Sequence, residues 1–245
     1  MKKNDLEFYD VNAANWWDQD AKIYALHHLN KPRFEFFDRY VSNWQGLKAL
    51  DVGCGGGFSC EFMAARDVVV SGLDQSQKCI DAAQKHAIAS GFNIDYRCGV
   101  GEQMPYADNT FDLVVCVDVL EHVADVQQVL AEVFRILKPN GLFFFDTINR
   151  NLKSKFVMIW LMENFLGEIQ KGVHDWNKFI TPQELTAWLN QTGFGQVEIK
   201  GFDLFGDALR LNLKTYLAYK KTGEINVSIN DDTSINYIGK AMKIV

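Results

Sequence analysis

Residues 48–57, Lys-Ala-Leu-Asp-Val-Gly-Cys-Gly-Gly-Gly, constrain the fold more than any other stretch of the chain. The apolar run that ends at Val52 reads as a buried strand. It stops at Gly53, Gly55, Gly56 and Gly57, and a helical pattern opens at Phe58. Glycines at a strand-to-helix turn let the backbone bend tightly and let a ligand lie against bare peptide. The spacing here is Gly-x-Gly-x-Gly. A dinucleotide fingerprint needs Gly-x-Gly-x-x-Gly, whose third glycine would fall on Phe58. No Gly-Lys-Ser/Thr is present, so a P-loop is excluded as well.

The pattern continues beyond this turn. Strands are expected at 48–53, 68–73, 94–98, 111–117 and 141–147, and helices at 58–66, 76–90, 119–137 and 181–192. Such alternation specifies an α/β fold with a parallel sheet. Lys138-Pro139-Asn140-Gly141 reads as a turn. Runs 196–202 and 235–243 look like a closing strand pair, with 203–232 inserted between them. Residues 1–45, with Trp16-Trp17 and Pro32, read as one or two helices ahead of the sheet.

The chain has 245 residues, 48% of them hydrophobic, which suffices for one domain whose core needs no disulfide or metal. The formal net charge is −6 and no Lys/Arg block exceeds two residues. That argues against a nucleic-acid partner, which requires clustered basic charge. Five cysteines with no Cys-x-x-Cys read as reduced thiols, and the N-terminus shows no apolar signal region. No apolar run approaches the length of a membrane span. The expected location is therefore the cytoplasm.

A glycine turn without a phosphate signature suits a ligand carrying ribose and a zwitterionic amino acid, and S-adenosylmethionine is such a ligand. Gly53 and Gly55 would lie against it. Asp51, inside the first strand, could take its amino group or order the loop. Asp74 ends the second strand about 20 residues beyond the first glycine, where an acid can accept both ribose hydroxyls. It could equally cap the helix that follows, although Ser76 is also placed to do so. Gly99-Val100-Gly101-Glu102 follows the third strand, and backbone groups near Gly101 and Glu102 are expected to hold the adenine.

Asp118, Glu121 and His122 follow the fourth strand. On a helix starting here, offsets of three and four would place them on one face. Two carboxylates and an imidazole form an oxygen-rich set suited to Mg²⁺ or Mn²⁺ and also tolerable to Zn²⁺. Asp118-x-x-Glu121 is also a capping-box pattern, so spacing alone leaves both readings open.

Several blocks together resemble the class I S-adenosylmethionine-dependent methyltransferases, and within them the ubiquinone-biosynthesis O-methyltransferases. They are Asn15-Trp16-Trp17-Asp18, Leu26-His27-His28-Leu29-Asn30 with Arg33, the glycine turn itself, and Val119-Leu120-Glu121-His122-Val123. Thr147-Ile148-Asn149-Arg150-Asn151, the stretch from Lys171 to Ile180, and Ser234-Ile235-Asn236-Tyr237 complete the match. The insert 203–232 replaces a shorter connection in that family. The resemblance implies a Rossmann-like, seven-stranded, mostly parallel sheet with an antiparallel last strand and an N-terminal helical extension. Its parts would be an N-terminal cap (1–45), a cofactor-binding core (46–150), a substrate- or membrane-facing lid (151–180), and a closing helix and strands (181–245).

The resemblance further implies methylation of a catechol hydroxyl on a polyprenylated ring. Arg33, Gly53, Asp74 and Val117 would contact S-adenosylmethionine. Asp118, Glu121 and His122 would hold a divalent cation such as Mg²⁺. Phenols with a pKa near 10 are mostly protonated at neutral pH. A cation stabilising phenolate would therefore promote attack on the methyl group, with His122 or His174 taking the proton. His174 and Asp175 would line the substrate mouth. A methyltransferase of the same fold acting on another phenolic or small hydroxylated metabolite is the alternative.

Residues 152–171 are unusually apolar and carry Lys153, Lys155 and Lys171 at their flanks. On a helix, Met158, Leu161, Met162, Phe165, Leu166 and Ile169 share one face, while Phe156 and Trp160 lie opposite, beside Glu163. Such a stretch suits peripheral membrane contact, a lid over a lipid-like phenolic substrate, or an ordinary packed helix.

Overall fold

The computed structural model describes residue 4, residues 6–204 and residues 227–244. Five parallel strands form the heart of the sheet: β1 (Lys48–Val52), β2 (Val69–Asp74), β3 (Asp95–Cys98), β4 (Phe111–Val117) and β5 (Leu137–Ile148). Three more complete it: β6 (Phe194–Asp203), β7 (Ser228–Asn230) and β8 (Asn236–Lys243). The order is β3-β2-β1-β4-β5-β8-β6-β7, with β8 antiparallel to both β5 and β6. Among the described residues the sheet thus has eight strands where seven were expected. The extra one, β7, is a three-residue edge strand pairing Ser228–Asn230 with Gly201–Asp203. It belongs to the 203–232 insert, most of which (205–226) lies outside the described residues.

Side-chain alternation builds one core on each face. Val114, Cys116, Phe143 and Phe145 point one way, against Val129, Leu130 and Val133 of α5 (Val126–Ile136) and Leu185 and Leu189 of α7 (Pro182–Thr192). Leu113, Val115 and Phe144 point the other way. There they meet Phe34, Phe36 and Phe37 of α2 (Asn30–Phe37), Met63 of α3 (Phe58–Ala64) and Ile80 of α4 (Gln77–Ala89). Phe143, Phe144 and Phe145 are all fully buried. A consecutive apolar run is what a strand covered on both faces requires. The turn at 138–141 exists, but as a bulge inside β5: Phe111 pairs with Leu137 and Leu113 with Leu142.

Ahead of the sheet lie α1 (Glu7–Asn12), short 3-10 turns at Ala13–Asn15 and Lys22–Leu29, and α2. Helix caps follow local chemistry. Ser76, not Asp74, caps α4 by accepting from Cys79 N, and Thr181 with Glu184 forms a capping box on α7.

Two helical expectations change. The helix expected over 119–137 begins only at Val126, capped by Asp125. Residues 118–125 form an irregular turn, so Asp118, Glu121 and His122 do not share a helix face. In the 151–180 region, α6 (Leu152–Ser154) runs into a π-helical stretch, Lys155–Phe165. Bonding from i to i+5, as in Leu166 N to Leu161 O (2.8 Å), widens the turn. Phe165 therefore joins Phe156 and Trp160 in one exposed stack, with ring centroids 5.1 and 5.9 Å apart, while Glu163 turns inward and is buried. Among the described residues, no helix is long and apolar enough to cross a membrane.

Candidate active site

The carboxyl ends of the parallel strands open on a cavity of about 1040 Å³. This is where open α/β sheets place their ligands. Asp51, Gly53, Gly55, Asp74, Gly101, Glu102, Val117, Asp118, His122 and Arg33 all border it, whereas Glu121 and His174 are not part of its lining. The glycines earn their places sterically. Gly53 and Gly55 have φ of 72° and 50°. A Cβ on Gly53 would strike Val119, and one on Gly55 or Gly56 would strike the Trp16 indole. The peptide edge is thus covered in part by the protein's own side chains. Trp17 Nε1 also donates to Gly56 O (2.8 Å), and its ring stacks on His86 at 3.5 Å. Trp16 and Trp17 therefore lie across the loop, a specific contact that the expected N-terminal cap did not include. The Trp16-Trp17 pair was the available signal.

Asp74 is tied to the loop it faces. Its Oδ2 accepts Gly55 N (2.9 Å) and its Oδ1 accepts Ser76 N (2.8 Å). Burial raises its pKa, and these two bonds oppose the rise. Each oxygen keeps a lone pair for a further donor. Asp51 is buried on β1, and burial pushes its pKa up to about 7, against a Cys60 thiol contact that favours the carboxylate. Glu102 accepts from Ala124 N (2.8 Å) and Asp125 N (3.2 Å), so its carboxylate fastens the β3 and β4 loops together.

Arg33 is buried between two acids. It donates from Nε to Asp146 Oδ2 (2.5 Å) and pairs with Asp118 through its terminal nitrogen. Burial works against its charge, yet Asp118 and Asp146 outweigh that and hold its pKa above the ordinary value. Asp146 was not anticipated, although an acid inside the run Phe143-Phe144-Phe145-Asp146 is a visible anomaly. Asp118 has φ of 55°, an uncommon left-handed conformation, and its N–H donates to Asp146 (2.8 Å). Two buried donors bordering the cavity, Trp16 Nε1 and Asn30 Nδ2, find no acceptor among the described residues. With Arg33 they suit a ligand bearing a carboxylate.

A second cluster stands beside this cavity. Among the described residues, Glu121, His122 and His174 bring one ligand atom each to within 4.8 Å of one another. Asp118, engaged by Arg33, is not in that set, and His174 takes the third place. The two imidazoles stack at 5.4 Å. Burial, then repulsion from Asp118, pushes Glu121 up to about 8, while a bond from Thr147 Oγ1 (2.7 Å) works the other way. Burial, then His174 and Lys178, lowers His122 to about 3. The turn carrying them is held from outside. Lys178 Nζ donates to Val123 O (2.5 Å) and Asn4 Nδ2 to His122 O (2.9 Å). Asp175 does not join the cluster; it caps the turn Trp176–Lys178 through Asn177 N (3.1 Å).

Comparison with known proteins places the chain in a family. The methyltransferase-domain family matches residues 50–145. The chain is 36% identical to a ubiquinone biosynthesis O-methyltransferase of Chromobacterium violaceum, covering 96% of this chain and 94% of that protein. It is 37% identical to the corresponding protein of Saccharophagus degradans, covering 95% and 92%. Among solved structures, it resembles YcgJ of Bacillus subtilis (16% identical, TM-score 0.63, covering 88% and 99%). It also resembles a phosphoethanolamine N-methyltransferase 2 of Haemonchus contortus solved with S-adenosylmethionine (14% identical, TM-score 0.68, covering 97% and 60%). The two structures share the fold, and the curated relatives carry the kinship: the chain is an S-adenosylmethionine-dependent methyltransferase belonging to the ubiquinone biosynthesis O-methyltransferase family.

Proposed function

We propose that the chain methylates a catechol hydroxyl of a polyprenylated quinone precursor, with a divalent cation at Glu121, His122 and His174. The observation that carries this reading is the adjacency of the donor cavity to a cluster of one carboxylate and two imidazoles, joined through His122. Gly53, Gly55, Asp74, Gly101, Glu102 and Val117 border the nucleoside side of the donor. Arg33 and Asp51 border its amino-acid side, with the buried donors on Asn30 and Trp16 beside them.

The donor set fits a cation. Each of the three side chains has an outer partner: Thr147 for Glu121, Asn4 for His122 and Glu163 for His174. Metal-binding imidazoles are generally oriented in this way. Two nitrogens and one oxygen suit a first-row transition ion better than Mg²⁺, which prefers oxygen ligands. A bound cation would stabilise the phenolate form of the acceptor. Its lowered pKa keeps His122 neutral, with a lone pair available to a cation.

The acceptor's tail is assigned to the face formed by Phe156, Trp160, Phe165 and Leu152, which are 50–78% exposed. Lys171 borders this face in sequence. Lys153 and Lys155 turn to Ser234 and to the Trp176 ring. Aromatic rings over a basic margin suit contact with a lipid headgroup layer. The reading is tested with short- and long-chain catechols, with and without excess chelator, and by liposome flotation. The expected results are methylation of the long-chain catechol, loss of activity in chelator, and flotation with anionic vesicles. Full activity in chelator would remove the cation, and absence of flotation would remove the lipid face.

A further inference from the structure

Glu163 is 2% exposed. It sits on the inner side of the π-helical stretch and belongs to neither the donor cavity nor the cation cluster. Its carboxylate accepts from Gly172 N (3.0 Å), His174 N (3.1 Å) and His174 Nδ1 (2.7 Å). A carboxylate is acceptor-only, so the proton of a neutral His174 must reside on Nδ1. His122 is fixed in the same way from another element. Asn4 Nδ2 donates to the His122 carbonyl (2.9 Å), which sets the amide orientation and turns Asn4 Oδ1 toward His122 Nδ1 (2.8 Å). Both rings therefore carry hydrogen on Nδ1 and keep the Nε2 lone pair.

We infer that Glu163 is the positioning residue of the Glu121–His122–His174 cluster, holding His174 as the Nδ1–H tautomer with Nε2 free. Phe179 meets the His174 ring edge-on at 5.7 Å, and the His122 ring stacks on it. These contacts restrict the plane of the ring but not which nitrogen is protonated; that choice falls to Glu163. A carboxylate used only to tie the loop would need the two backbone donors alone. The third bond distinguishes positioning from tying. The inference rests on the proposed function in taking this cluster as the acceptor side of the reaction, while the tautomer stands on geometry alone.

The test is ¹⁵N NMR of the histidine rings near pH 8, in the full chain and in E163Q and E163A, alongside steady-state kinetics and S-adenosylmethionine binding. The expected wild-type spectrum shows His174 protonated on Nδ1. E163Q, which keeps a carbonyl acceptor, retains that tautomer and most of the turnover. E163A loses the tautomer and roughly 10- to 100-fold in kcat, the usual cost of removing an outer partner, with an unchanged Kd for S-adenosylmethionine. Should E163A fail to fold, the wild-type and E163Q spectra decide. A wild-type His174 protonated on Nε2, or a folded E163A with wild-type kcat, would overturn the inference. A wild-type protein with the Nδ1–H tautomer that methylates no catechol would overturn the functional reading and leave the positioning role intact.

Discussion

The donor side and the acceptor side of this protein are built differently. The donor side hangs on strand ends: β1, β2 and β4 deliver Asp51, the glycine turn, Asp74 and Val117 directly from the sheet. The N-terminal segment then closes over it, with Trp16 against Gly55 and Gly56. The acceptor side hangs on irregular chain. Glu121 and His122 lie in a turn, His174 in a loop, and Glu163 on a π-helical stretch with an exposed aromatic flank. Rigid strand ends suit a ligand shared by a whole superfamily. Segments outside the sheet can vary their acceptor without disturbing the core.

The contrast predicts that donor-side lesions damage folding as well as binding, while acceptor-side lesions damage turnover alone. The largest effect is expected from Arg33→Ala. It leaves Asp146 buried beside Asp118 with no cation, and breaking such a pair costs about 3–5 kcal/mol. Urea melts should show this, together with weaker S-adenosylmethionine binding. A loss of binding with no loss of stability would contradict it.

His174→Ala comes next. It should lower kcat by about 100-fold, with the melting temperature and donor affinity near wild type. Unchanged kcat and KM would remove His174 from the reaction.

Asp51→Asn sharpens the donor side through pH. Burial raises the folded pKa of Asp51 to about 7. Stability from its protonated form is therefore full below the unfolded value of about 4 and is lost as pH rises through about 7. The variant's melting temperature relative to wild type should climb from near zero at about pH 4 to roughly 10 °C by about pH 8. A pH-independent difference would show that Asp51 is ionised throughout.

Trp16→Ala has the smallest effect on the ligand, although losing this buried ring also lowers stability. Uncovering the glycine turn should weaken S-adenosylmethionine by about tenfold, or 1.4 kcal/mol, in calorimetry. Catechol KM should stay unchanged.

The same contrast explains what the sequence revealed. All seven strands read from periodicity appear within a few residues, because alternating or continuous apolar runs fix a strand locally. The glycine turn, Asp74 and Val117 border the cavity because strand ends place them there. The start of α5 was misjudged because residues 118–125 are shaped by distant partners. Arg33 draws Asp118 away, and Lys178 and Asn4 take the carbonyls that a helix would have used. A 3.6-residue periodicity places Glu163 beside Phe156 and Trp160, whereas the wider π-helical turn buries it. His174 was legible only by resemblance, and its neighbours were not.

The central claim is that one cavity presents S-adenosylmethionine to a catechol held at the His122–His174 side. Incubation of a polyprenyl catechol with S-adenosylmethionine labelled on the methyl group, followed by mass spectrometry of the lipid extract, tests it most directly. The account predicts one labelled methyl on a ring oxygen, abolished in Asp74→Ala with loss of donor binding, and sharply reduced in His174→Ala with donor binding intact. Uptake of S-adenosylmethionine with no label transferred to any catechol would contradict it.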